Sequence, residues 1–228
     1  SFNKLNPDNF KKKMDSLLNL KLITYHDYIE NHPDETQRYN SILKVALTYP
    51  IYARIERYPI AHVKHSNSKN FPTTGANFYK HREHVQLNKD SLMYYYPYSK
   101  YISNYLYNTT YSLGHKPMVD EYSSNFTIDL LRTINTKINP SISKDAFLKQ
   151  TVIEHFYKKS SCSVNESAFE EYFNLTNNDK DRTHVKQLLC DSKTVLKGQK
   201  ILDFEVYDLN NAKHKIVDVS KTKNTFLF

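Results

Sequence analysis

The most reactive side chains in this sequence belong to two cysteines, Cys162 and Cys190. They stand 28 residues apart, which is neither the C-x-x-C spacing of a dithiol redox pair nor a zinc-ligand spacing. Two thiols at this separation can form a structural disulfide in an oxidising compartment. They can equally be separate core thiols, since unpaired cysteine is often buried. The sequence favours neither alternative.

Histidines offer a second kind of chemistry, because the pairs His62-x-x-His65 and His81-x-x-His84 have a spacing of three residues. Imidazoles at this spacing share a helix face and can chelate a metal ion. However, His62 and His65 fall in a predicted loop, and ten histidines in 228 residues form such pairs by chance. We therefore predict exposed or hydrogen-bonded histidines, and we assign no metal ligand, cofactor or catalytic residue.

The densest aromatic group lies between residues 94 and 105. It consists of Tyr94, Tyr95, Tyr96, Tyr98, Tyr101 and Tyr105. Such a group could stack on bases or sugars, or it could bind a partner helix. Packing between helices, with the hydroxyl groups at the rim, is the interpretation we favour.

The net charge of +8 at pH 7 would attract nucleic acid or acidic lipid if the cations were clustered. The one clear run, Lys11-Lys12-Lys13, opens a predicted helix and indicates a solvated face, so we predict no nucleic-acid partner. The three glycines form no phosphate-binding loop motif. Four carboxylates on predicted helices show no pairing suited to acid–base catalysis, and they are Asp129, Glu154, Glu170 and Glu171.

Helical periodicity dominates the first two thirds of the chain. Asn6-Pro7 predicts a helix start and His32-Pro33 predicts its end. A second helix follows, and Pro50 should kink or break it. Residues 60–76 are rich in turn formers and predict a loop. Further helices are predicted at 97–113, 119–138, 144–160, 165–174 and 180–196.

The period changes at Gly198. Alternating residues near 203–209 and 213–219, separated by the turn signal Asn210-Asn211, predict a β-hairpin. The apolar run Thr225-Phe226-Leu227-Phe228 predicts a strand buried on both faces, as in a parallel sheet.

These last thirty residues carry a resemblance to a known family. Gly198-Gln-Lys-Ile-Leu-Asp-Phe-Glu-Val-Tyr-Asp208 resembles the entry segment of the TlpA/ResA-like branch of thioredoxin-fold proteins, and residues 215–220 and 223–228 are similar to its next two strands. In the family the last of these strands leads into Trp-Cys-x-x-Cys. Leu202 stands where the family usually has Pro, and Asn211-Ala212 replaces a usual Gly. Residues 5–197 are similar, without sharp motifs, to the helical region that some members carry upstream.

The resemblance implies a mainly α fold with two parts. Residues 1–197 would be a multi-helix accessory domain, and residues 198–228 would begin a thioredoxin-like domain, truncated before the C-x-x-C loop. The implied location is the periplasm or cell envelope, with membrane attachment only through an anchor removed before residue 1.

The implied function is that of the non-catalytic helical portion of an envelope thiol–disulfide oxidoreductase. It would position the thioredoxin-like domain or contact protein substrates, and protein thiols or disulfides would react at the missing C-terminal domain. The alternative is a redox-inactive binding or scaffold protein of the envelope. Whether the full protein is an enzyme stays open at this point.

Thiol titration of the unfolded, unreduced protein tests the pairing of Cys162 with Cys190. A bridge would close a loop of about 28 residues, so reducing it should lower the free energy of unfolding by roughly 3 kcal/mol. A titration that finds no thiol establishes the bridge, whereas two titratable thiols rule it out.

Overall fold

A computed structural model describes residues 2–121, 123–158, 166–193 and 205–215. The chain divides into two compact units, Ser1–Thr183 and His184–Phe228, and the boundary falls inside the seventh helix. The described residues form seven α-helices and one two-stranded antiparallel sheet, which confirms the mainly α prediction. The α-helices are α1 Pro7–Asn31, α2 Gln37–Ser66, α3 Tyr96–Tyr111, α4 Ser124–Lys137, α5 Ile142–Lys158, α6 Glu166–Leu175 and α7 Asp179–Lys193. Short 3-10 turns occur at Phe2–Lys4, Lys80–His84 and Asp90–Leu92.

Helix α1 begins and ends where the sequence predicts. The Asn6 side chain accepts a hydrogen bond from the backbone N–H of Asn9 at 2.9 Å, and Pro7 occupies the first turn. This cap satisfies one of the free donors of the first turn, and proline costs nothing there because its missing N–H would have been unpaired. The helix ends at Asn31, next to His32, whose N–H bonds the carbonyl of Ile29.

Helix α2 departs from the prediction, because it continues through Pro50 and Pro59 to Ser66. The prediction that Pro50 breaks the helix is therefore wrong, whereas the alternative of a kink there stays a prediction. The loop predicted from residue 60 is also wrong up to Ser66, where the helix ends. A proline inside a helix costs about 3 kcal/mol. Burial offsets this cost, since most of the residues from Val45 to Val63 are buried. Asn67, in the left-handed conformation with φ 52°, follows the last turn and ends the helix.

The contact between α1 and α2 is a compact apolar cluster. Phe10 and Met14 of α1 pack with Ile55 and Tyr58 of α2 and with Phe78, and all five are buried. The rings of Phe10 and Tyr58 stack with centroids 4.1 Å apart. The Tyr58 hydroxyl donates to the carbonyl of Leu5 at 2.7 Å, so the large polar aromatic is satisfied inside the core.

The remaining helices of the first unit pack mainly on their neighbours in the chain. α3 packs on α2 and α4, and α4 also packs on α5 and α6. α4 starts at Ser124, five residues after the predicted position. The side chain of Ser123 accepts from the N–H of Phe126 at 3.1 Å and sets this start.

In the second unit, β1 Glu205–Tyr207 pairs antiparallel with β2 Lys213–Lys215, with Val206 opposite His214. This confirms the predicted hairpin within residues 205–215. Asn211 adopts φ 62°, which asparagine tolerates, and so the turn lies where Asn210-Asn211 places it. Residues 198–204, the end of the second predicted strand and the apolar strand at 225–228 lie outside the described residues.

Replacing Phe10 with alanine tests the core. The change removes a fully buried ring stacked on Tyr58, so the free energy of unfolding should fall by about 3–5 kcal/mol in urea denaturation. The control is Lys12→Ala on the exposed face of the same helix, where the change should stay within about 0.5 kcal/mol. Equal losses in both variants would contradict this core assignment.

Candidate functional site

The most elaborate polar arrangement surrounds the carboxylate of Glu56, which is 0% exposed. Oε1 accepts from His81 Nε2 at 2.9 Å and from Arg82 Nε at 2.8 Å. Oε2 accepts from Arg82 Nη2 and from Asn108 Nδ2, each at 2.7 Å. Both oxygens therefore have two donors each, which is what a carboxylate needs when it is removed from water.

Three segments meet at this carboxylate. Glu56 lies on α2, His81 and Arg82 lie on the 3-10 turn Lys80–His84, and Asn108 lies on α3. The Arg82 guanidinium carbon stands 4.1 Å from the ring centre of Tyr79 and 4.9 Å from that of Tyr105. Bidentate pairing and ring contacts together fix the guanidinium plane, so this position requires arginine rather than lysine.

The electrostatics of the group follow from burial and its opposing hydrogen bonds. Burial alone raises the pKa of Glu56, but the hydrogen bonds from Arg82, His81 and Asn108 outweigh it, and the pKa lies below its usual value. Burial lowers the pKa of Arg82, yet the bond to Glu56 leaves it raised. Burial also raises the pKa values of the neighbouring Tyr79 and Tyr101 hydroxyls. The pair therefore stays ionised while the tyrosines stay neutral.

His81 serves as a hydrogen-bond donor in this network. Because the carboxylate accepts, Nε2 carries the proton. The ring stacks on Tyr52 with centroids 5.0 Å apart, and Tyr101 meets it edge-on at 5.9 Å. Its buried Nδ1 has no hydrogen-bond partner in the part of the chain that the structure describes. The imidazole is thus held by aromatic rings and one charged acceptor.

The other predicted histidines have separate roles. His62 and His65 lie in α2 rather than in a loop, which corrects the prediction. His62 Nδ1 is 2.8 Å from the carbonyl of Asn3, and His65 Nδ1 is 2.7 Å from that of Ala61, while His84 is exposed. Over residues 2–121, 123–158, 166–193 and 205–215, no three His, Cys, Asp or Glu residues are grouped to hold a metal ion.

The tyrosine group divides between core and surface. Tyr98, Tyr101 and Tyr105 are buried between helices, as the favoured interpretation predicts. Tyr94 and Tyr96 are 87% and 72% exposed and do not belong to the core. The Tyr98 hydroxyl donates to the carbonyl of Gln86 at 3.0 Å, and burial raises its pKa to about 12.

Two of the four predicted helix carboxylates contact basic side chains from other elements. Asp129 Oδ2 lies 2.8 Å from His115 Nε2, and Glu171 binds Arg132 through both oxygens at 3.0 and 3.1 Å. Glu170 is exposed, as expected for a helix carboxylate. The cysteine prediction stays untested, since Cys162 lies outside the described residues and Cys190 is exposed on α7.

A cleft of about 630 Å³ opens among α2, α3, α4 and α5. From α2 it is lined by Arg57, Ile60 and Lys64, whose spacing of three and four residues puts them on one helix face. From α3 it is lined by a similar stripe that begins at Lys100 and ends at Tyr107. Its volume is within the range of small-molecule sites in proteins.

The far wall of this cleft is organised around Glu154 of α5. Glu154 accepts from Tyr107 Oη at 3.4 Å, from Gln150 Nε2 at 3.0 Å and from Lys158 Nζ at 3.3 Å. The first of these bonds crosses from α3 to α5. The charge of Glu154 is therefore balanced by Lys158 and held in place by two neutral donors.

Sequence reasoning missed Glu56 and the cleft. A signal for Glu56 was present, because it stands on the same helical stripe as Tyr49, Tyr52 and Val63, all of them buried. A carboxylate within an apolar stripe indicates a buried, partnered charge. The cleft had no such signal, since it is assembled from four helices whose packing the sequence does not state.

No known protein-family model, curated protein or solved structure matches this chain. No described helix has both the length and the apolar character needed to cross a lipid bilayer.

Replacing Glu56 with glutamine should lower the free energy of unfolding at pH 7 by about 3–5 kcal/mol. In either orientation the Gln NH2 group would face two donors, and Arg82 would lose its counter-charge. The control is Glu170→Gln on an exposed helix face, which should change stability by less than about 0.5 kcal/mol. A loss in Glu56→Gln no larger than in this control would show that the network contributes little.

The pH dependence of stability in wild type and Glu56→Gln gives a second test. Because the pKa of Glu56 is lowered in the folded state, its contribution is complete above the pKa of the unfolded chain, about 4.3. It is lost as the pH falls from there through the folded-state pKa. Urea midpoints measured between pH 7 and pH 3 should therefore show a stability gap between wild type and Glu56→Gln that narrows below about pH 4.3. A constant gap would contradict the assignment.

Proposed function

We propose that this chain is the non-catalytic helical part of an envelope thiol–disulfide oxidoreductase of the TlpA/ResA-like thioredoxin branch. Its role would be to position the thioredoxin-like domain or to contact protein substrates. The observation that supports the proposal is the hairpin of Glu205–Tyr207 and Lys213–Lys215, which follows the seven α-helices of the described residues. Its first strand and its turn lie within the segment that resembles the family's entry segment. Its second strand reaches Lys215, the first residue of the segment that is similar to the family's next strand.

Asp208 closes the turn of this hairpin through hydrogen bonds to the backbone, which is consistent with the resemblance. The family's first strand ends in Asp, and here Asp208 Oδ1 accepts from the N–H groups of Asn210 and Ala212, both at 2.9 Å. These contacts, led by the one from Ala212, lower the pKa of the Asp208 carboxyl, and His214 adds to the effect. The carboxylate stays ionised and closes the turn that an asparagine in the left-handed region permits.

The proposed division of labour follows from thiol chemistry. Disulfide exchange proceeds through attack of a thiolate and a mixed disulfide, and a C-x-x-C pair at a helix N-terminus supplies the activated thiolate. Cys162 and Cys190 have no such spacing. Protein thiols or disulfides would therefore react at the thioredoxin-like domain in the periplasm or envelope, and the helices would contribute binding and orientation.

A second candidate is a redox-inactive binding or scaffold protein of the envelope. The cleft among α2, α3, α4 and α5 favours it, because binding alone would account for this surface. The sequence of the full encoded polypeptide discriminates between the two candidates. Trp-Cys-x-x-Cys directly after residue 228 supports the redox protein, and a polypeptide without it supports the scaffold.

Residues 1–228 by themselves should not accelerate the reduction of insulin by dithiothreitol, because they hold no C-x-x-C pair. The measurement is the onset of insulin turbidity, with a thioredoxin at equal concentration as positive control. Turnover comparable to the thioredoxin would overturn the assignment of this chain as the non-catalytic part.

A further inference from the structure

We propose that the cleft among α2, α3, α4 and α5 binds a small amphipathic organic anion, a carboxylate or sulfonate carried on an apolar body. The inference goes beyond the proposed function and does not rest on it. It depends on three features of the cleft, namely a cationic wall, a buried apolar floor and an opposite wall whose carboxylate is already neutralised.

The cationic wall consists of Arg57 and Lys64, two turns apart on α2, and Lys100 on α3. None of the three forms an ion pair with any residue in the described ranges. Elsewhere cations are paired across elements, as Arg132 is with Glu171 and Lys149 with Asp181. One further carboxylate, Glu121, lines the cleft and has no ion pair in the described ranges. Three unpaired cations therefore face one unpaired carboxylate, and the net positive potential attracts an anion.

The floor explains why the ligand should be more than a simple ion. Leu106, Leu130 and Ile134 line the cleft and are only 2%, 3% and 1% exposed, and the ring of Phe147 adds to this surface. An apolar body placed against this floor would remove its own surface from water, at roughly 25 cal/mol per Å² of apolar area. Inorganic phosphate or acetate would bind to the cations but would make no apolar contact with the floor.

The opposite wall orients the ligand. Glu154 accepts hydrogen bonds from Lys158, Gln150 and Tyr107. Lys158 compensates its charge, and these bonds to Glu154 already occupy the three donors. An anionic head group gains nothing near Glu154 and gains most near α2 and α3. The head group should therefore face Arg57, Lys64 and Lys100, with the apolar body directed towards α4 and α5.

The test uses 8-anilinonaphthalene-1-sulfonate, a sulfonate on an aromatic body, with the full chain at pH 7. Its fluorescence should rise saturably with one site per chain. Octanoate should displace it, whereas acetate, phosphate and octanol at the same concentration should not, because each lacks either the apolar body or the charge. Displacement by octanol as effective as by octanoate would overturn the role of the cations. Displacement by acetate or phosphate as effective as by octanoate would overturn the role of the floor.

Two matched variants locate the site. Lys100 lines this cleft and not its neighbour, a second cleft of about 620 Å³ on the other side of Arg57 and Lys64 that is lined by Arg54. Lys100→Gln should weaken binding of the probe about tenfold, the usual effect of losing one charge-assisted contact. Arg54→Gln removes the same charge from the neighbouring cleft and should leave the dissociation constant unchanged.

The double variant Arg57→Gln/Lys64→Gln should weaken binding further than Lys100→Gln. Because Arg57 and Lys64 are exposed, circular dichroism and the melting temperature should match wild type, which confirms that the fold is intact. Three results would each overturn the proposal. They are an absence of saturable binding, an unchanged dissociation constant in Lys100→Gln, or a loss in Arg54→Gln equal to that in Lys100→Gln.

Discussion

The first unit depends on a single buried charge, the carboxylate of Glu56. Removing a carboxylate from water costs several kcal/mol, and only well-placed donors recover that cost. Those donors come from the turn Lys80–His84 and from α3, so the charge can be accommodated only when both reach α2 together. Apolar contacts of Phe10 or Ile55 could tolerate small shifts between helices. Four hydrogen bonds to two oxygens cannot, and they fix the register of α2 against α3.

This constraint bears on a second, adjacent side of α2. Successive residues of a helix point about 100° apart, so Glu56 and Arg57 face different sides. Glu56 is held in the core while Arg57 and Lys64 stand in the wall of the cleft. A helix anchored through its buried face keeps the side chains of its outer face in a fixed frame. A preformed binding surface requires this, because ordering mobile side chains on binding costs free energy and lowers the affinity.

The sequence predicted what local signals decide. Asn6-Pro7 acts on its own helix start, and Asn210-Asn211 acts on its own turn. It failed where distant contacts decide. Pro50 and Pro59 are strong local breakers, yet burial of the residues around them keeps α2 continuous. The side chains that donate hydrogen bonds to Glu56 are 25 to 52 residues away in sequence, and no sequence spacing predicts that they meet. The histidine pairs have a spacing that suits metal binding. However, His81 bonds to the carboxylate of Glu56, which is distant from the pair in sequence.

The two prolines in α2 also affect how the chain is made. A 30-residue helix that contains Pro50 and Pro59 has little stability alone, because each proline removes a backbone N–H donor from the helical hydrogen bonds. Asn108, the most distant hydrogen-bond donor to Glu56, is synthesised 52 residues after it. A nascent chain shorter than this cannot complete the network, and its tyrosine-rich helix surfaces stay open to chaperones. During synthesis, therefore, α2 should become stable only after α3 has left the ribosome.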